Sequence, residues 1–399
     1  MTRRLYLVDS HLFENECTIL SCQKVQEGFD VMVDATVFFP NKGGQPCDTG
    51  ALGDVRVLDV REDGEELILR TDGPLPVGMK VLGRIDEARR LDIMEQHTGE
   101  HLLSWCAYRL FDAVNVGFHC ALNYATLDLD KPLTGEQVAQ METMANDYAR
   151  RNLPVTAAIY DSEDDLKDVP LRKHTEGLTA PIRVVTIQDA DSCTCCAPHV
   201  HSTGEIGAIK IVSAVAYKGG TRMTFLCGGR ALDCFQRLQT TMDAIARKFS
   251  TAGEEVLAAV ERQETELKEL KKEKAALTAR LEEYLTQELK AQAEDVKGRK
   301  LLVRMTDTDP KRLRPLALAT LPEKGLTLLL TEKGSQLSYV LCCNGLKLDM
   351  GELIPAVNLA LGGKGGGRGT LAQGSAPTPV GLPETMEQLK TYLRQRLAN

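Results

Sequence analysis

The sequence predicts a mixed α+β protein of several domains, and three observations carry that prediction. Short alternating apolar runs punctuated by turn residues fill the chain up to about Asp86. A helical period takes over at Glu87, and a heptad pattern later separates two further α/β stretches. With 399 residues the chain can bury more than one core.

Taken in order, Val31, Val33, Ala35 and Val37 share one strand face, Val55, Val57 and Val60 belong to a second run, and Leu67-Ile68-Leu69 form a third. Glu27-Gly28 and Asp63-Gly64 break these runs where hairpins turn. Met1 to Asp9 reads as a first strand, so residues 1–87 are expected to form a small β-barrel. Ala88 to Leu110 carries Leu91, Met94, Leu102, Leu103 and Leu110 at helical spacing, with Gly99 the only interruption. Strands follow at 125–129, 182–187, 206–211 and 222–226, with a helix from Thr134 to Asn152 announced by a Thr134/Gln137 capping box. Residues 88–231 therefore make an α+β core. Over 232–296 the chain reads as helical, and Val256, Val260, Gln263, Leu267, Leu270, Lys274, Leu277, Leu281 and Tyr284 alternate by four and three. That seam fits a helical hairpin or a coiled coil between two copies. Residues 297–399 close the chain as an α/β domain, with buried strands at 326–331 and 337–342 and a helix at 350–361. The helix runs into Gly362-Gly363-Lys364-Gly365-Gly366-Gly367-Arg368-Gly369, read either as a flexible loop or as a phosphate contact through Lys364 and Arg368.

Composition excludes several classes. A 43% hydrophobic and 26% charged content is that of a soluble globular protein. No apolar run approaches the ~20 residues that span a bilayer, so no membrane partner is expected. Net charge of −8 argues against a generic polyanion binder, although basic residues cluster at 271–274, 297–300 and 311–314. The 12 cysteines have no framework spacing, and the adjacent pairs Cys195-Cys196 and Cys342-Cys343 suit disulfides badly. A reducing, cytoplasmic setting is expected, with thiols free or on metal.

Two short motifs carry the chemistry. His97-Thr98-Gly99-Glu100-His101 puts two imidazoles on one helix face, because residues four apart are neighbours. Cys195-Cys196-Ala197-Pro198-His199 supplies a thiol and a third imidazole. One Cys and three His is a ligand set that tetrahedral zinc accepts, and three of the chain's 7 histidines sit in these motifs. The competing readings are an ordinary amphipathic helix and a set of small buried or redox cysteines. Glu100 is expected on the surface, on a different helix side from His97.

These pieces in this order resemble the freestanding alanyl-tRNA editing proteins, the long form of the AlaX-type trans-editing family, and the editing and C-terminal parts of alanyl-tRNA synthetase. The resemblance covers essentially the whole chain. It rests on Phe38-Phe39-Pro40 with Gly43-Gly44-Gln45-Pro46 and Asp48-Thr49-Gly50, on the two motifs above, on Thr203-Gly204-Glu205-Ile206-Gly207, and on 225–232. The C-terminal glycine segment with Ala372-Gln373-Gly374 resembles a DHHA1-type domain. Where the family's second motif often reads Cys-Gly-Gly-Thr-His, this chain has Cys196, Ala197 and Pro198 in the middle, and Pro198 removes a backbone donor and a hydroxyl.

The resemblance implies an ATP-independent hydrolase that removes serine, or glycine, from alanine-specific tRNA, with one zinc per chain on His97, His101, Cys195 and His199. Gln45, Thr49 and His119 are the catalytic, pocket-lining candidates; Gln45 also reads as a turn residue, and His119, where the resemblance implies a substrate contact, also as a strand cap. Gly43, Gly44, Lys364 and Arg368 are the expected substrate and tRNA contacts, and the coiled coil or C-terminal domain the expected homodimer contact. No aminoacylation region precedes Met1, so charging of tRNA is not expected, and no Asp-His-His triplet speaks for a phosphoesterase. Four protein ligands would close a zinc shell, which leaves open a labile ligand, a fifth coordination position, or a metal that only positions the substrate. The alternatives are a non-catalytic, zinc-stabilised tRNA-binding module and a zinc hydrolase acting on another ester.

Overall fold

The structure, a computed structural model, describes residues 2–172, 177 and 180–398. It is a mixed α+β chain with several sheets, and it divides into two compact units, Met1–Gly253 and Glu254–Asn399.

In the first unit six antiparallel strands close into a ring, in the order Glu14–Val25, Gly28–Val33, Glu66–Thr71, Val55–Asp63, Gly50–Leu52 and Lys80–Ile85. Period-2 patterning sets this up: Val31, Val33, Val57, Val60, Leu67 and Leu69 are buried inside it, while alternate residues face water. Gly28 and Gly64 sit at φ 96° and 60° in the hairpin turns, where a side chain would be strained. The expected first strand is only Arg3–Arg4, pairing with Ala35–Thr36, before a 3-10 turn at Leu5–Leu7 buries Tyr6. A turn aims the Tyr6 ring at Phe39, edge to face at 5.2 Å, which a continued strand would not.

Helix α1 (Glu87–Phe111) follows the ring, then α2 (Gly135–Arg150), whose Thr134/Gln137 capping box is present. Both pack on a four-stranded sheet ordered Ile209–Tyr217, Gly220–Cys227, Ala125–Leu129, Asn115–Cys120. A three-stranded sheet joins Val155–Tyr160, Ile182–Ile187 and Ser192–Thr194. The strand expected from residue 206 starts at Ile209, because Thr203–Ile206 forms a 3-10 turn closed by Gly207 at φ 66°. The region read as helical over 232–296 holds two helices, α3 (Gly228–Phe249) and, in the second unit, α4 (Val256–Ala291); its end is not helical, since Glu294–Val296 is a strand paired with Arg299–Leu301. Ser250 ends α3 in the left-handed conformation.

Arg90 fixes α1 against the ring. Its guanidinium is 1% exposed and donates to Asp48 Oδ1 at 3.1 Å and Oδ2 at 2.5 Å, to Ser10 O at 2.9 Å and to Val37 O at 2.6 Å. Gly99 lets α1 approach the start of α3, since a Cβ there would lie 2.3 Å from Cys227 Sγ. That contact explains a glycine in mid-helix, where it costs about 0.5–1 kcal/mol relative to alanine.

The second unit is a six-stranded sheet ordered Glu294–Val296, Arg299–Thr306, Gly325–Lys333, Gln336–Asn344, Leu371–Pro377 and Lys364–Arg368. Among its described residues only 299–306 with 325–333 is a parallel pair, and the crossover it needs is α5 (Pro310–Thr320). Helices α6 (Met350–Leu361) and α7 (Leu382–Ala398) complete the unit. Within the glycine segment, Lys364–Arg368 is an edge strand, not a loop. Cβ atoms at Gly365 and Gly367 would lie 2.6 Å from Gln373 O and 2.2 Å from Leu371 O, so glycine permits the close pairing. Along α4 the seam side chains Leu267, Leu270, Leu277, Leu281 and Tyr284 are exposed.

Candidate metal centre

Helix α1 presents the first two ligands on one face. Its cap, Asp86, accepts from Arg89 N at 3.1 Å. The other two come from the segment after strand 192–194, where Arg183 pins the backbone by donating to Cys195 O at 2.9 Å and Ala197 O at 2.8 Å. His97, His101, Cys195 and His199 each offer one ligand atom, and these atoms all lie within 4.8 Å of one another. Cys195 Sγ is 3.6 Å from His97 Nε2 and 3.3 Å from His199 Nε2. The three imidazoles are buried; Cys195 is partly exposed and packs on both the ring core and the α1 core.

Each imidazole has an oxygen behind it. His97 Nδ1 donates to Gln45 Oε1 at 2.5 Å. His199 Nδ1 donates at 3.0 Å to Thr98 Oγ1, whose own proton goes to Met94 O at 2.8 Å. His101 Nδ1 lies 3.1 Å from Asp191 Oδ2, a charge contact rather than an aligned hydrogen bond, and Asp191 is held in turn by Arg172 Nε at 2.6 Å. With all three Nδ1 atoms facing oxygens, the Nε2 atoms are left to converge. Outer partners of this kind orient metal-ligating histidines, and a donor set of three imidazole nitrogens and one sulfur fits a tetrahedral metal.

The electrostatics agree with that reading. Burial alone would push the Cys195 thiol up, but the charges of His97 and His199 and hydrogen bonds from His101 and His199 hold it well below the usual thiol range. Burial pushes His199 down to about 3. Burial also disfavours charge on His101, yet its anionic partners Asp191 and Cys195 raise it well above the ordinary histidine value. A ligand cation would take over the compensation of thiolate charge that His101 provides here.

A cavity of about 380 Å³ opens beside the cluster, lined in part by Gly43, His97, His101, Phe118, Thr194 and Cys195. Glu100 also lines it, and the surface position expected for this residue is wrong. It is 3% exposed, accepts from Ser104 Oγ and, at 2.6 Å, from Asn115 Nδ2, and places Oε2 4.0 Å from His101 Nε2. Three residues advance a helix by about 300°, only about 60° from His97, so the spacing already put Glu100 near the same face.

Of the other expected site residues, Gln45 is buried behind His97 and orients it rather than lining the cavity. Gly43 lines the cavity, and Gly44, at φ +78°, sits where a Cβ would be 2.5 Å from Phe118 O. Thr49 and His119 are not brought to the cavity. The Thr49 carbonyl accepts from Asp86 N at 2.8 Å at the head of α1. His119 is exposed on the strand face opposite to Phe118, whose ring is 4.8 Å from that of His97. Lys364 and Arg368 are exposed on the edge strand of the second unit. Thr98, Asn115, Arg172 and Asp191 escaped the sequence reading; the first lies inside the histidine motif, whereas Arg172 is joined to the site only by folding.

Comparison with known proteins gives this geometry a context. Residues 182–223, which carry Asp191, Cys195 and His199, match the family described as threonyl and alanyl tRNA synthetase second additional domain. Alanyl-tRNA editing protein Aarsd1-B of Xenopus laevis is 30% identical over 354 residues, covering 88% of this chain and 85% of that one. Alanyl-tRNA editing protein Aarsd1 of Mus musculus is 29% identical over 408 residues, 98% of each. Alanyl-tRNA editing protein AlaX-L of Pyrococcus horikoshii is 28% identical over 414 residues, 99% of this chain and 100% of its own. Similarity that runs the length of both partners, with the ligand cluster inside it, gives the chain its family: it belongs to the alanyl-tRNA editing proteins.

Proposed function

We propose that the chain is a trans-editing hydrolase that deacylates alanine-specific tRNA carrying a wrong amino acid, serine or glycine, at a zinc-bearing centre of three histidines and one cysteine. The observation that carries the reading is the placement of the cluster: four convergent donors, three of which (His97, His101 and Cys195) line a cavity, with Cys195 open to it. One zinc per chain would be held by His97, His101, Cys195 and His199. When bound, it supplies Lewis acidity to groups entering the cavity.

The remaining work falls to this chain's own side chains. Gln45, Thr98 and Asp191 hold the ligand imidazoles in one orientation, so the donors need not reorganise during the reaction. Glu100 is the acidic side chain in the cavity lining, and its Oε1 is fixed by Ser104 and Asn115. It is placed to anchor the α-ammonium group of an aminoacyl ester. Thr194, also in the lining, would offer its hydroxyl to a serine hydroxyl. A site built to bond a hydroxyl rejects alanine because its polar groups would be left unpaired. Gln45 is a positioning residue in this reading, and Thr49 and His119 carry no role in it.

The same proposal extends outward. The closed ring is read as a small β-barrel, α4 as a coiled-coil connector whose exposed seam meets a second copy, and the second unit as a DHHA1-like domain. Lys364 and Arg368 are read as contacts to tRNA phosphates, and the protein as cytoplasmic.

A second reading, a structural zinc in a tRNA-binding module, draws on the four-ligand shell, which is complete without substrate. Deacylation of Ser-, Gly- and Ala-charged alanine tRNA by wild type, His97→Ala and Glu100→Gln separates the two. Editing requires release of serine, sparing of alanine, and loss of hydrolysis in Glu100→Gln with zinc content unchanged. A folded, zinc-loaded wild type that releases nothing would establish the structural reading instead.

A further inference from the structure

Outside this cavity the first unit carries another group of ligand-type side chains. Asp9, His11 and His201 each offer one ligand atom, again all within 4.8 Å of one another. Glu205 joins them, its Oε2 2.9 Å from His11 Nε2, and Asp9 Oδ1 is 3.2 Å from His201 Nε2. The two imidazole rings lie face to face, with centroids 3.8 Å apart and planes tilted by 34°. Asp9 and His201 are 50% and 57% exposed at the side chain, so a small ion can reach them from solvent.

Surface histidine–carboxylate pairing is the simpler account, and one observation goes against it. His11 Nδ1 is buried and has no hydrogen-bond partner among the described residues. A polar atom left so in a folded protein calls for an explanation such as an ion. A divalent cation ligated by His11 Nδ1 accounts for that atom and leaves the Nε2 proton to Glu205, the outer-partner arrangement usual for metal-bound histidines.

We propose that Asp9, His11 and His201 form a second metal site for a borderline divalent transition cation such as zinc, cobalt or nickel, with Glu205 behind His11 as an outer partner. Two nitrogen donors make the set too soft for magnesium or calcium, which take oxygen ligands. The site is separate from the cluster of His97, His101, Cys195 and His199 but mechanically next to it: Ser10, between Asp9 and His11, accepts from His199 N at 3.1 Å. A cation there would staple 9–11 to 201 and so steady the backbone that presents His199.

The test uses full-length protein stripped of metal and titrated with Co²⁺, read by absorption and by metal content after gel filtration. The inner site, with its thiolate, gives a sulfur-to-cobalt charge-transfer band; an outer site of nitrogen and oxygen donors gives none. Wild type is expected to hold two Co²⁺ per chain with the band saturating after one. The double variant His11→Gln/His201→Gln is expected to hold one, with the band intact. Asp9→Asn, a milder change, is expected to weaken the second binding step at least tenfold with the far-ultraviolet circular dichroism unchanged. One Co²⁺ per chain in wild type, a second ion retained by the double variant, or an unaltered second step in Asp9→Asn would overturn the proposal.

Discussion

Replacing Gln45 by alanine removes the oxygen that accepts from His97 Nδ1 at 2.5 Å, while leaving every proposed metal ligand in place. Gln45 is 6% exposed, so water does not easily take over the lost contact. A buried N–H left unpaired costs about 1–3 kcal/mol. The ring is also freed to turn, although Phe118 still packs against it at 4.8 Å. Outer partners of metal-bound histidines are worth about 10–100-fold in metal affinity, or about 1.4–2.7 kcal/mol. The two ranges agree, and the expected outcome is zinc affinity lowered by about that factor. Competition of stripped protein against a chromophoric chelator measures it, with circular dichroism to show that the fold persists. Gln45→Glu keeps an acceptor and is expected to stay within a few-fold of wild type. A folded Gln45→Ala protein that binds zinc within twofold of wild type would refute the claim that this residue orients His97.

Other outcomes follow from the same contacts. Asp48→Ala leaves the 1% exposed Arg90 guanidinium without its carboxylate, and such a broken buried pair is expected to cost about 3–5 kcal/mol in denaturant unfolding. Asp30 accepts from Arg61 at 2.6 Å and Arg70 at 2.6 Å; burial would raise its carboxyl, but the two arginines hold it below the ordinary value of 3.8. A lowered carboxylate stabilises the fold fully above its unfolded value and loses that contribution as pH falls through the folded one. Unfolding midpoints taken from pH 5 down to 2 are therefore expected to fall more steeply below pH 4 in wild type than in Asp30→Asn. Gly44→Ala must accommodate φ +78° and a Cβ 2.5 Å from Phe118 O. The left-handed strain alone is about 1–2 kcal/mol, and the loop is expected to move off Phe118, lowering deacylation more than the loss of stability explains.

Much of this protein was legible in the residues alone. Alternation of Val31, Val33, Leu67 and Leu69 set the strands of the ring, because a period of two buries one face whatever lies across from it. The i, i+4 spacing of His97 and His101 put both on one side of α1 before any partner was known. The tertiary structure decided what those residues meet. It closed the six strands on themselves, brought Cys195 and His199 to a helix about a hundred residues earlier, and set Gln45 behind His97. It turned residues 364–368 of the glycine segment into an edge strand, since only the neighbouring Gln373 and Leu371 carbonyls show why glycines are needed there. It left Thr49 and His119 outside the cavity and brought Arg172 to Asp191. Local periodicity is a property of the backbone repeat and is written in sequence. Which side chains share a cavity depends on the register and approach of elements distant along the chain, and that is set only when the whole core closes.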